Sequence, residues 1–263
     1  MPVNELLGRR GRQRVMPSDQ RALREVADDI GSTVHDVLVS VRSLALAVEN
    51  LADGVQGVPN STTRSDLETL HPLIESLIEQ HCGLLLGAGF VADPDFLQDV
   101  AHWLDWRQAI GGGYSSMEVT LDANDVANYD YIHAEWFEVP KSGAPFAIVG
   151  PYVDLGGTNA YTITITVPVR LGDSFLGVAG ADISVDRVEG LLRRMTRTIG
   201  LAAMVVTDEG RVIASSVPRQ CPGTLLRDLN LDVDGGKHVS QGLLAFDCAG
   251  LPWRLVVLGF RDG

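Results

Sequence analysis

The stretch YTITITVPVRLGDSFLGVAGADISVDRVEGLLRR, residues 161–194, decides the fold class. Thr162, Thr164 and Thr166 alternate with Ile163, Ile165 and Val167. Period two in β-branched residues is the pattern of a strand, because successive side chains leave its two faces in turn. Leu171-Gly172-Asp173 supplies a tight turn, and Ser174 to Ile183 returns as a second strand. Gly177 and Gly180 weaken that strand but let another group approach its backbone. Asp182 ends the pattern, and Ser184 is well placed to cap the helix of VDRVEGLLRR.

Upstream lie YDYIHAEWFEVP (129–140) and AIVGPYVDLGG (147–157). Taken together, Trp136-Phe137, Pro140, Gly150-Pro151-Tyr152-Val153-Asp154, Thr164, Pro168-Val169, Gly172, Leu176-Gly177-Val178 and Gly180-Ala181-Asp182-Ile183 form an ordered set. This set resembles the Cache family of small-molecule sensor domains. The strong part of the resemblance covers about a quarter of the chain and extends weakly from Thr62 to Phe260. It implies a PAS-like antiparallel sheet that cups a carboxylate or an amino acid. In amino-acid-binding members, an aspartate placed like Asp182 holds the ligand amine. An arginine two residues before the tryptophan helps to hold the carboxylate, and here that place is Ala134, between His133 and Glu135.

Working outward, Leu23, Ile30, Val37, Leu44 and Leu51 recur every seventh residue, with Ala27, Val34, Val41 and Val48 between them. Such a repeat predicts one long helix with an apolar seam, opened by Pro17-Ser18-Asp19 and closed by Gly54 and Gly57-Val58-Pro59. The seam can pack on the chain's own second helix or on the same helix of another subunit. The resemblance favours a homodimer through Leu23 to Leu51. Ser61-Thr62-Thr63 opens that second helix, and Gly83 to Val91 reads as the first sheet strand. Phe96 to Leu104 reads as an amphipathic helical segment, with Trp103 and Trp106 three apart on one face. Gly111-Gly112-Gly113 is a turn leading into a strand over Glu118 to Leu121; it lacks the context of a dinucleotide or phosphate loop. Leu201–Thr207 with Arg211–Ser216, and Leu243–Cys248 with Trp253–Phe260, read as two further hairpins.

The expected architecture is therefore α/β in the α+β sense. Residues 1–16 form a flexible arginine-bearing arm and 17–58 the long helix. Residues 59–195 form the PAS-like Cache ligand-binding domain, and 196–263 a smaller PAS-like β module. A net charge of −13 argues against nucleic acid as a partner. No run approaches the length of a membrane span, and no secretory signal follows the basic arm. Cys82, Cys221 and Cys248 form no framework or metal pattern and are expected as reduced, buried thiols. Together these features lead to a cytoplasmic expectation.

The chemistry-bearing residues are Trp103, Trp106, Tyr131, Trp136 and Tyr152 as walls, with Asp154, Thr164 and Asp182 as polar contacts. Asp182 can pair with a ligand ammonium or cap the following helix. The threonine row can line a pocket or face solvent, and the second reading is preferred. His102 and Asp105 read as a surface pair. His133, Glu135 and Asp182 imitate a metal or acid–base cluster, but no GxSxG or HExxH motif accompanies them. No catalytic residue, metal or cofactor is expected. The function expected is a sensor of a small polar metabolite (an amino acid, amine or carboxylate) that signals through a dimer or a separate regulator. The alternative is a protein-interaction module that binds no small molecule.

Overall fold

A computed structural model describes residues 13–54, 62–94, 96–122, 124–217, 220–227, 237–240, 243–258 and 260–262. In chain order the elements are β1 (Gln13–Val15), α1 (Pro17–Gly54), α2 (Arg64–Glu68), α3 (His71–Gln80), β2 (Leu85–Ala92), β3 (Leu104–Ile110), β4 (Gly113–Ser116), α4 (Glu135–Lys141), β5 (Ala147–Val153), β6 (Tyr161–Leu171), β7 (Ser174–Ser184), α5 (Val185–Arg197), β8 (Ala203–Thr207), β9 (Val212–Ser215), β10 (Lys237–Ser240), β11 (Leu243–Asp247), β12 (Trp253–Leu258) and β13 (Phe260–Asp262). The chain divides into two units, Asp36–Ser184 and Met1–His35 with Val185–Gly263.

The unit Asp36–Ser184 is built on a six-stranded antiparallel sheet in the order β4-β3-β2-β7-β6-β5. The β6–β7 hairpin forms as its alternation predicts, with Thr164 opposite Asp182 and Thr166 opposite Gly180. Both faces of β6 are covered: Ile163 and Ile165 are buried on one side, and Thr162, Thr164 and Thr166 on the other. The threonine row is therefore not a solvent face. Its hydroxyls donate to the Ile183 carbonyl, to Asp182 and to the Trp136 carbonyl. Glycines let β2 and β3 lie close. A Cβ on Gly89 would run into the Asp105 carbonyl, and one on Gly87 would sit 2.8 Å from Trp106 Nε1. Gly111 (φ +63°) and Gly112 (φ +85°) make the β3–β4 turn, a backbone shape that costs glycine nothing.

The other unit carries a five-stranded antiparallel sheet, β10-β11-β12-β8-β9, and a two-stranded parallel pairing of β1 with β13. Both expected C-terminal hairpins are present as β8–β9 and β11–β12. The residues of α5 group with this sheet, where Glu189 accepts a hydrogen bond from the Ser215 amide at 3.1 Å. The boundary expected after residue 195 falls inside α5, whereas the two units divide at its start.

Several expectations are corrected. Gln13–Val15 is a strand within the stretch read as an arm; residues 1–12 lie outside the described residues. The long helix runs from Pro17 to Gly54, and Gly57-Val58-Pro59 falls outside the described residues. Its heptad seam is not a free dimer face. Leu23, Val37, Val41, Leu44 and Val48 are each 0% exposed within the chain itself. One window of this helix also has a mean hydropathy of 1.2, long and apolar enough to meet the composition of a membrane span. Phe96 to Leu104 is not helical: residues 97–99 and 101–102 bend, and β3 begins at Leu104. Ladder pairing with β2 overrides the helical spacing there. Glu118–Leu121 is no strand beyond one bridge from Thr120 to Asn128; β4 precedes it. Cys82 and Cys221 are exposed, and Cys248 alone is buried, its thiol pushed up to about 12 chiefly by burial.

Candidate ligand site

Asp182 sits inside β7, between Thr164 of β6 and Gly87 of β2, two residues before the strand ends. Strand geometry aims its side chain at one face of the sheet, so it does not cap α5. The side chain is 4% exposed. Over it lies a narrow pocket, with about 240 Å³ of empty space when open solvent is included, lined by Val91, Leu104, Trp106, Met117, Tyr129, Trp136, Tyr152, Thr164 and Asp182. Four rings and four apolar or hydroxyl side chains thus surround one carboxylate.

Five strands (β2, β3, β5, β6 and β7), the helix α4 and irregular chain before it hold these groups. Trp106 comes from β3 and reaches over the glycines; a Cβ on Gly180 would lie 3.1 Å from the indole and 2.9 Å from the Ile165 carbonyl. Trp136 comes from α4, not from a strand, and its carbonyl accepts from Thr166 at 2.6 Å. Tyr152 stands on β5 opposite Thr162, and its hydroxyl reaches Thr164. Thr164 Oγ1 donates to Asp182 Oδ1 at 2.6 Å and lies 2.6 Å from the Tyr152 hydroxyl. A threonine has one proton to give, so Tyr152 is the donor in the second bond. The relay runs Tyr152, Thr164, Asp182.

Tyr129 is turned the other way. Its hydroxyl donates to Asp154 Oδ1 at 2.8 Å. Asp154 is itself pinned by the Thr158 amide at 2.7 Å and the Thr158 hydroxyl at 3.0 Å. Asp154 therefore orients a wall of the cup and does not line it. Tyr131 is likewise outside: it is 2% exposed, donates to the Ala92 carbonyl at 3.0 Å, and packs edge-on against Phe137. Trp103 stands apart too, with the Arg64 guanidinium 5.4 Å over its ring. Trp103 precedes β3, and of the two tryptophans only Trp106, inside the strand, lines the cup.

Of the eight residues named from sequence, the structure gathers Trp106, Trp136, Tyr152, Thr164 and Asp182. Tyr129, Met117, Val91 and Leu104 were not foreseen as lining. Tyr129 and Met117 lie on irregular chain, where no periodicity marks an inward side. Val91 and Leu104 read simply as core.

Burial governs the electrostatics. Desolvation raises the Asp182 carboxyl from its ordinary value to about 7; the nearby Asp154 charge adds to this, and the Thr164 hydroxyl opposes it. The Trp106 indole also favours the ionised form, yet Nε1 is buried with no acceptor in hydrogen-bond geometry. Desolvation beside acidic neighbours likewise raises the Tyr129 and Tyr152 phenols, so both stay neutral donors. The cup holds one poised acid and one unpaired N–H, an arrangement suited to binding.

The remaining polar groups are committed elsewhere. Asp105 is buried and takes His71 Nε2 at 3.1 Å, so it is no surface partner of His102, whose ring packs edge-on near Tyr131. His133 pairs with exposed Asp130 at 2.9 Å, away from Asp182. Among the described residues, no group of three His, Cys, Asp or Glu could hold a metal ion.

Comparison with known proteins meets this geometry. Residues 98–189 match the model of a family described as methyl-accepting chemotaxis protein-like, first PDC sensor domain. The methyl-accepting chemotaxis protein PscA of Pseudomonas syringae pv. tomato is 28% identical over 90 residues, covering 34% of this chain and 14% of PscA. The chain thus matches only a small part of that relative's length. Among solved structures, "Methyl-accepting Chemotaxis protein X" superposes with a TM-score of 0.62 at 18% identity, over 92% of this chain and 96% of that one. The ligand-binding domain of the Pseudomonas aeruginosa PAO1 amino acid chemoreceptor PctB, in complex with L-Arg, gives 0.56 at 17% identity, over 89% and 91%. These likenesses establish the fold: mixed α+β, with a long N-terminal helix, a six-stranded antiparallel sheet like that of PDC domains and a smaller second sheet.

Proposed function

We propose that the chain is a small-molecule sensor domain that takes a small polar metabolite in the cup over β7 and passes its occupancy to a partner regulator. The observation that carries this reading is the buried carboxylate of Asp182, facing a cavity walled by Trp106, Tyr129, Trp136 and Tyr152. The pocket is narrow, its empty space of about 240 Å³ including open solvent, so it suits only a small ligand. An unpaired indole N–H and a desolvated acid cost stability when empty, and a ligand relieves both. The match of residues 98–189 to a first PDC sensor domain supports the same reading.

The test is a thermal-shift screen with amines, amino acids and short carboxylates. A ligand that binds only the folded state adds roughly 2.7 kcal/mol at a hundredfold excess over its Kd. One chemical class should raise Tm by several degrees in the wild type and by much less in Trp136→Ala. A flat response across all three classes contradicts the sensor reading and returns the interaction-module alternative.

A further inference from the structure

We infer that the cup selects a small organic cation lacking a carboxylate, its positive nitrogen held against the aromatic walls with Asp182 as counter-ion. This deepens the sensor reading of the same cup and rests on it. Asp182 is the only charged residue in the lining, which contains no Lys, Arg or His. The basic side chains near the cup's elements are engaged elsewhere. Arg107, the neighbour of Trp106, points to Glu75 at 2.6 Å and Ser116 at 2.9 Å. Lys141 of α4 pairs with Asp93, and Arg170 of β6 donates to the Pro140 and Lys141 carbonyls. A bound carboxylate would find one buried N–H, that of Trp106, and would face Asp182 in a poorly hydrated space. Like charges at that range raise each other's cost.

The hydroxyl protons make the same discrimination. Tyr129 and Tyr152 both donate into the protein, to Asp154 and Thr164, so neither offers a proton to an anion. What they present is ring surface and lone pairs. Aromatic faces carry negative electrostatic potential, and a cation set against several of them beside a carboxylate regains part of the solvation it gives up on entering. A second observation lies outside the cup. The segment from Met117 to Ala134, which contributes Met117 and Tyr129, holds Glu118, Asp122 and Asp125, an Asp130 paired with His133, and neither lysine nor arginine. This excess of carboxylates in a segment that supplies two lining residues favours cations over anions.

The test is isothermal titration calorimetry of the full chain at pH 8 with ethylammonium, tetramethylammonium, putrescine, L-alanine and acetate. Ethylammonium and L-alanine differ only by the α-carboxylate, so their ratio isolates the claim. At least one of the three cations should bind, ethylammonium should exceed L-alanine by tenfold or more, and acetate should give no heat of binding. Asp182→Asn should weaken the bound cation by at least tenfold with its circular dichroism unchanged; Tyr152→Phe, which keeps the ring, should retain binding within about threefold and so report on a folded cup. L-Alanine or acetate binding as tightly as ethylammonium overturns the inference while the sensor reading stands. Binding of none of the five overturns it as well, and the broader thermal-shift panel then decides the sensor reading separately.

Discussion

Asp182 stands in a place that a stability-driven sequence would fill with an apolar residue or an amide. Its folded-state pKa, about 7, lies above the unfolded value of 3.8. The native state therefore binds the extra proton between those values, and the ionised acid weighs against folding as pH rises through 7. Asp182→Asn keeps the shape and removes that cost. The ligand-free variant should melt higher than wild type at pH 8, and the gap should close as pH falls toward 4. A wild type that melts higher than Asp182→Asn at pH 8 would mean the carboxylate is already well paired. The same titration couples to ligand. If the ionised form takes the ligand's cation, apparent affinity at pH 6 should be about tenfold below that at pH 8. A pH-independent Kd would separate Asp182 from the bound charge.

At the scale of elements, the cup depends on how closely β2, β3 and β7 approach. Gly180 sits opposite Gly89, and a Cβ there meets Ile165 O and Thr166 Cγ2 at 2.9 Å. Gly180→Ala should therefore cost about 1–3 kcal/mol and displace the Trp106 indole. Denaturant melts and indole fluorescence read the two effects; unchanged values in both would show that the strands have slack. The helix gives a second prediction. Leu44→Ala, at a 0% exposed seam position, should cost about 2–5 kcal/mol, whereas Leu46→Ser, at 58% exposure, should stay within about 0.5 kcal/mol. The reverse order would return the seam to a partner subunit.

These elements also show what could be read in advance. The β6–β7 hairpin was legible because alternation of β-branched residues has few other solutions. The heptads of α1 announced a helix but not what covers it, since an intramolecular seam and a dimer seam share one period. Phe96 to Leu104 misled because its apolar spacing also fits a helix, and the ladder with β2 decided the matter. Trp106, Trp136, Tyr152, Thr164 and Asp182 stood out as aromatic or polar residues in a strand-rich stretch. Tyr129 was invisible as a wall because its inward position depends on Asp154, twenty-five residues further on.

For the whole molecule, the local sequence match and the fold match have different reach. The family match is confined to residues 98–189, from the bends before β3 into α5, while structural likeness extends over 92% of the chain. The shared sequence contains most of the cup, and the likeness of fold reaches beyond it at 18% identity or less in the compared structures. Surface charge acts at this scale too. With a net charge of −13, association of a cation should slow as ionic strength rises past about 0.1 M, where the Debye length is near 10 Å. A salt-independent on-rate would remove steering from the account.

The central claim is that the cup around Asp182 is where ligand binds. The most direct measurement is a crystal structure of the chain soaked with the strongest hit of the thermal-shift screen. The account predicts density between Trp106, Trp136 and Tyr152, with a ligand nitrogen about 2.7–2.9 Å from the Asp182 carboxylate. Density elsewhere on the protein, with the cup unoccupied at saturating ligand, would contradict it.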